Sequence, residues 1–247
     1  MIHTKPGVIA GIAVLTLFGW AYIFWMALIM DVSSSLLIIP QSKPWTLFYA
    51  TMVFIMWAIM MIAMMLPSAS PAILIYEKIV TGKSQTENPL WLTTLFTSSY
   101  LLTWMLFSLA ATAAQWWLHS VSYLSPMMAI TDKYIGGAIL IAASVYQVSP
   151  IKDACLKHCR SPMGYFITNW RDGAKGSFTM GFMHGMYCVG CCWALMAVLF
   201  FTGMMNLLWV VAISIFVLVE KITSTGDKIA YLSAFLLFFA GLWVILG

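Results

Sequence analysis

Residues 177–201 read SFTMGFMHGMYCVGCCWALMAVLFF. The stretch holds no Asp, Glu, Lys or Arg, and it is longer than the roughly 20 apolar residues that cross a hydrocarbon core as a helix. It therefore reads as a membrane-spanning helix. Six further apolar runs lie on either side of it, at 7–30, 47–66, 91–118, 134–149, 204–219 and 229–247. The fourth (134–149) and sixth (204–219) are short. Thr202 and Gly203 read as a tight turn between the runs on either side of them. The run at 7–30 lacks a small-residue cleavage site, so it reads as a retained anchor rather than a removed signal peptide.

Composition agrees with this pattern. Only 8% of the 247 residues are charged and 62% are hydrophobic, whereas a soluble domain carries about a quarter charged residues. The chain is expected to be a single all-α unit over 1–247. It reads as a polytopic transmembrane helix bundle of about seven spans, with the lipid bilayer as its solvent. The net charge of +4 sits in no basic tract, so nucleic-acid binding is not expected. No motif for a nucleotide appears, and no hydrolytic triad. A catalytic role is not expected.

Lys and Arg give the orientation. With the N-terminus inside, Lys5, Lys78, Lys83, Lys152, Lys157, Arg160, Arg171, Lys175, Lys221 and Lys228 fall on the cytoplasmic side, and only Lys43 and Lys133 fall outside. This is the positive-inside bias of a bacterial inner-membrane protein. No internal repeat of the transporter kind is visible. The one long connection, 151–176, is read as a cytoplasmic loop.

All five cysteines lie between residues 155 and 192, at Cys155, Cys159, Cys188, Cys191 and Cys192. His158 and His184 lie in the same interval. The cytoplasmic side keeps thiols reduced, which favours metal binding or thiol chemistry over a disulfide framework. At 100° per residue Met180, His184, Cys188, Cys191 and Cys192 share one helix face. Neighbours at i+3 and i+4 on such a face can clamp one ion. The ladder from His184 to Cys192 runs about 12 Å. Cys155 and Cys159 share a face if 155–159 is helical. Pro150 and Pro162 bracket a short interfacial helix there, and Lys152, Lys157 and Arg160 would favour thiolate over thiol.

Nineteen methionines include Met52, Met56, Met60 and Met64 at i+4 spacing, with Met61 and Met65 beside them. Met60, Met61, Met64 and Met65 fall near the cytoplasmic end of their helix, and thioethers with thiolates suit Cu(I). The same stripe also reads as ordinary packing. Pro67 and Pro71 are expected to kink or end that helix. Glu220, followed by Lys221, reads as an interfacial ion pair or a snorkelling charge. Gly181 and Gly185 form a small-xxx-small pattern for close helix packing. His3 and His119 receive no role.

Several segments together resemble a bacterial family of predicted metal-binding integral membrane proteins. They are 63–69 (AMMLPSA), 146–152 (YQVSPIK) running into Cys155, and Cys159-Arg160-Ser161-Pro162. They continue through 170–173 (WRDG), 184–193 (HGMYCVGCCW) and Glu220-Lys221. The resemblance covers most of the chain from the second helix onward. It implies metal binding and a copper-chaperone-like role.

The leading expectation is a Cu(I) chaperone or insertion factor for a partner cuproenzyme. Cys155 and Cys159 would capture the ion, with His158 a candidate donor nearby. His184, Cys188, Cys191 and Cys192 would hold the ion, with Met180 and the Met60–Met65 group as auxiliary donors. Zinc also accepts Cys and His. A metal permease would need donors through the outer half of 177–201, where only Met196 is available. A membrane thiol oxidoreductase, a structural subunit of a larger membrane complex, and haem held between His119 and His184 are the other readings.

Overall fold

A computed structural model describes residues 6–35, 45–83, 87–121, 130, 132–203, 206–223 and 226–247. His3, Lys5, Lys43 and the expected start of the sixth run at Met204 lie outside the described residues. Those residues form α1 (Pro6–Ser35), α2 (Leu47–Gly82), α3 (Pro89–Ser120), α4 (Lys133–Gln147) and α5 (Pro150–Arg160). They continue with α6 (Pro162–Asn169), α7 (Gly173–Thr202), α8 (Leu207–Ile222) and α9 (Gly226–Leu246). The protein is all-α, as its apolar runs require.

Helix starts follow local chemistry. Thr46 caps α2 by accepting from the Tyr49 amide, Asn88 caps α3 ahead of Pro89, and Asp132 accepts from the amides of Tyr134 and Ile135 at the head of α4. Ser149 caps α5, with Pro150 in the first turn. Proline has no amide to waste there and its φ already suits a helix. The two prolines that bracket 151–161 therefore begin α5 and α6. The stretch 151–176 is two packed helices rather than an extended loop.

One boundary differs from expectation. The second run does not end near Leu66, because α2 continues through Pro67 and Pro71 to Gly82. Pro71 frees the Pro67 carbonyl, which accepts instead from Ser70 Oγ at 2.8 Å. The Met65 carbonyl gains Ser68 Oγ at 2.9 Å and Tyr100 OH at 3.2 Å. The Ser70 hydroxyl thus satisfies the carbonyl that Pro71 frees.

Among the described residues five helices are long and apolar enough to cross a membrane: Pro6–Ile29, Leu47–Gly82, Pro89–Ser120, Gly173–Thr202 and Lys228–Leu246. Helices α4 and α5 would make a sixth crossing if counted as one span broken by a 64° bend. The expectation of seven rests in addition on α8, which has 16 residues. Most of α1 and α9 faces outward with large apolar side chains, including Leu17, Phe18, Trp25, Trp243 and Leu246. Apolar exposure on this scale suits lipid contact.

Helix α7 packs along α3, and α4 packs along α9. The α3–α7 approach is close because a Cβ on Gly181 would run into the Phe96 carbonyl, and one on Gly185 into Thr103. The small-xxx-small pattern thus sets the His184 face of α7 against α3. Helix α5 lies on α7 and touches α8, while α6 lies against α2. Gly203, with φ at 84°, supplies the left-handed residue that ends α7 before α8.

Candidate metal centre

Helix α7 turns Cys188, Cys191 and Cys192 inward, each about 1% exposed. All five cysteines of the chain carry free thiols. The Cys191 and Cys192 thiols donate to the Cys188 carbonyl at 3.1 and 2.9 Å, the usual resting place of a thiol one turn up a helix. Helix α5 brings Cys159 to this face, with its Sγ 3.9 Å from Cys191 Sγ. Helix α2 brings Met65, with its Sδ 3.9 Å from Cys192 Sγ. Three helices thus deliver five sulfur side chains to one buried region.

The other expected donors have further neighbours. The Cys155 Sγ lies 2.7 Å from where a Cβ on Gly190 would stand, so α5 approaches α7 closely at that glycine. The Gly190 carbonyl also accepts from Tyr146 OH at 2.5 Å, which ties α4 to the same point. His158 is half-buried and stacked on Tyr187 at 4.2 Å between ring centroids, and its Nδ1 meets the Ala154 carbonyl at 2.8 Å. Met60, with Met56, faces Tyr22, Ile23 and Met26 of α1. Met61 and Met64 are buried in the core. Met180 is buried on α7, and its carbonyl accepts from Tyr165 OH at 2.8 Å. Burial raises the Tyr165 hydroxyl above its ordinary pKa, which keeps it a donor. His119 packs its ring on Trp45.

His184 is 3% exposed and lies among Phe96, Tyr100 and Tyr165. Its Nδ1 is buried without a hydrogen-bond partner among the described residues. A buried polar atom left unpaired is costly, so this nitrogen is open to a hydrogen-bond partner, a water or an ion.

Sequence reasoning missed two groups at the thiols. Lys221 runs from the last turn of α8 to Cys188, with Nζ 3.0 Å from Cys188 Sγ and 3.1 Å from Ser68 Oγ. Tyr100 OH lies 3.0 Å from the same sulfur. A lysine in the last turn of an apolar helix is a costly residue whose partner deserves a search, but nothing local shows that the partner is a thiol on another helix.

The basic residues of α5 also have partners other than the thiols. Lys152 pairs with Glu220 in the interior, Lys157 pairs with Asp153 at 2.7 Å, and Arg160 donates to the carbonyls of Glu220 and Thr223 at 3.0 Å each. Arg160 thereby closes the C-terminal turn of α8, where free carbonyls attract a cation. Glu220 is ion-paired, as expected, but the pair is buried, with both side chains 1% exposed.

Among the described residues no three His, Cys, Asp or Glu side chains stand close enough together to hold an ion. A tetrahedral zinc site, which needs such a set, finds no support in this arrangement. The donors that do converge are thiols and a thioether, in pairs. Cu(I) prefers this soft chemistry, so these residues fit Cu(I) as cargo.

Comparison with known proteins gives one result. A family model described as PpoB2, copper chaperone, matches residues 54–244. No curated protein and no solved structure matches the chain. The matched span runs from the first half of α2 almost to the end of α9 and contains all five cysteines and Met65.

Proposed function

The chain belongs to the PpoB2 copper chaperone family, and from that premise we propose that it holds Cu(I) between α5 and α7 and passes it to a partner cuproenzyme. The observation that carries this reading is two sulfur pairs, Cys159 with Cys191 and Met65 with Cys192, each at 3.9 Å, on thiols that both bond the Cys188 carbonyl. Small shifts of thiol rotamers would bring two or three of these sulfurs onto one ion. Cys155 and Cys159, on the outer of the two helices, capture the ion. Two thiols at a time among Cys188, Cys191 and Cys192 hold it, with Met65 as the neutral third donor and His184 Nδ1 as a nitrogen donor along the way.

The protein lies in the bacterial inner membrane with its N-terminus in the cytoplasm. Helices α1, α2, α3, α4, α7, α8 and α9 cross, and α5 and α6 lie on the inner side. The positive-inside distribution of Lys and Arg supports that orientation. A permease reading is weaker, because the outer half of α7 beyond Cys192 offers only Met196 as a soft side chain.

The test is copper content after anaerobic Cu(I) loading of detergent-purified protein, beside a variant carrying Cys188→Ser, Cys191→Ser and Cys192→Ser. Copper retained by the wild type and lost by the variant supports the reading. No copper on either refutes it.

The Cys159–Cys191 juxtaposition favours one second reading, a thiol–disulfide exchange pair. A disulfide needs the sulfurs at about 2.05 Å, so the two helices would have to close up. Thiol trapping that finds a cycling Cys159–Cys191 bond and no copper would select this reading instead.

A further inference from the structure

The lysine at the thiols has no counterpart among ordinary metal ligands. Lys221 is 7% exposed and extends from α8 into the space between α2, α3 and α7. Among the described residues no carboxylate stands within ion-pair distance of it, because the adjacent Glu220 is turned to Lys152. Its neighbours are the hydroxyl of Ser68, which carries no charge, and the sulfur of Cys188. Tyr100 OH stands on the same sulfur. An ammonium taken out of water is costly unless an opposite charge stands beside it, and only the cysteine sulfurs can supply one here.

On the Cu(I)-handling reading above, we infer that Lys221 is a specificity-determining residue: its fixed positive charge suits the buried thiol site to a monovalent ion and rejects divalent ones. The charge count carries the argument. Thiols bind metals as thiolates. No three His, Cys, Asp or Glu donors converge, so an ion meets two thiolates, and the third sulfur within reach, Met65, is a neutral thioether. Two thiolates and one ammonium sum to one negative charge. A monovalent ion brings the assembly to zero, with no net charge left in the apolar interior. A divalent ion leaves one uncompensated positive charge next to an ammonium. Lys221 does not coordinate. It acts through the charge balance of the ligands.

The experiment uses the full-length protein in detergent under anaerobic conditions. In the wild type, Ag(I) and Cd(II) are offered separately, since both are soft ions and they differ in charge. Bound metal is counted after desalting. The result expected is Ag(I) retained and Cd(II) lost, and equal retention of the two overturns the inference without any mutation. In parallel, Cu(I) and Zn(II) affinities are measured by chelator competition for the wild type, Lys221→Gln and Lys221→Arg. Lys221→Gln is expected to raise the Zn(II)-to-Cu(I) affinity ratio roughly 10-fold or more, equal to about 1.4 kcal/mol. Lys221→Arg keeps the charge and the wild-type ratio. A Lys221→Gln protein that elutes and melts like Lys221→Arg, yet keeps the wild-type ratio, overturns the inference. Wild-type protein that takes up no Cu(I) overturns the proposed function, a different outcome from a wild type that binds Cu(I) with no preference by charge.

Discussion

Replacing Glu220 by Gln tests what holds α8 to the α4–α5 corner. Glu220 Oε1 accepts from Lys152 Nζ and from Gln147 Nε2, and Gln147 Nε2 donates in turn to Ser233 Oγ of α9 at 2.8 Å. Both members of the ion pair are 1% exposed. Glutamine keeps the shape and an acceptor oxygen, so Glu220→Gln removes the charge and little else. Lys152 is then a buried ammonium without its carboxylate. Breaking one side of a buried pair costs about 3–5 kcal/mol. At about 2–4 °C per kcal/mol for a chain of this size, Tm should fall by roughly 6–20 °C. Tryptophan fluorescence during heating in one detergent gives the readout. Asp153→Asn is the control, because the Lys157–Asp153 pair is half-exposed at one turn's spacing, where such pairs contribute about 0.3–0.5 kcal/mol. Replacing Lys152 and Glu220 together by Met leaves no unpaired charge and should restore most of the loss. A Glu220→Gln shift no larger than that of Asp153→Asn would refute the reasoning.

Two further outcomes are expected. Gly181→Ala places a methyl against the Phe96 carbonyl of α3, and overpacking of this kind costs about 1–3 kcal/mol; Gly11→Ala in α1, where nothing lies within 4 Å, should leave the melting curve in place. Met65→Leu should lower Cu(I) affinity in chelator competition by roughly 10-fold, about 1.4 kcal/mol, while Met60→Leu, on the α1 side of α2, should leave it unchanged; equal effects of the two would show that α2 serves the thiols only as packing.

Much of the helical frame was legible in the chain. The apolar runs at 7–30, 91–118, 177–201 and 229–247 match α1, α3, α7 and α9 to within a few residues at most ends, since hydropathy over twenty residues is a local property and a helix satisfies its own backbone. The i+3 and i+4 spacing of His184, Cys188, Cys191 and Cys192 likewise put them on one face before any packing was known. The extent of α2 was not legible. Pro67 and Pro71 are breakers by local rule, and the packing of α2 against α1 and α3 overrides that rule. The short runs at 134–149 and 204–219 were ambiguous for a related reason: α4 bends into α5 at a proline, and whether such a corner crosses or turns back is not set by composition.

The sequence by itself determined that this is a helical, lipid-suited chain with its thiols gathered in one interval and on one face of one helix. Periodicity and burial cost act along a single helix, and they suffice for that. The tertiary structure alone decided which partners meet that face: Cys159 rather than Cys155 from α5, Met65 rather than Met60 from α2, and Lys221 from α8, while Glu220 next to it turns away to Lys152. Adjacent residues on a helix point about 100° apart, so two charges side by side in the chain can serve different neighbours. Which neighbour each one meets depends on how closely the helices approach, and glycines such as Gly181 and Gly190 set that distance.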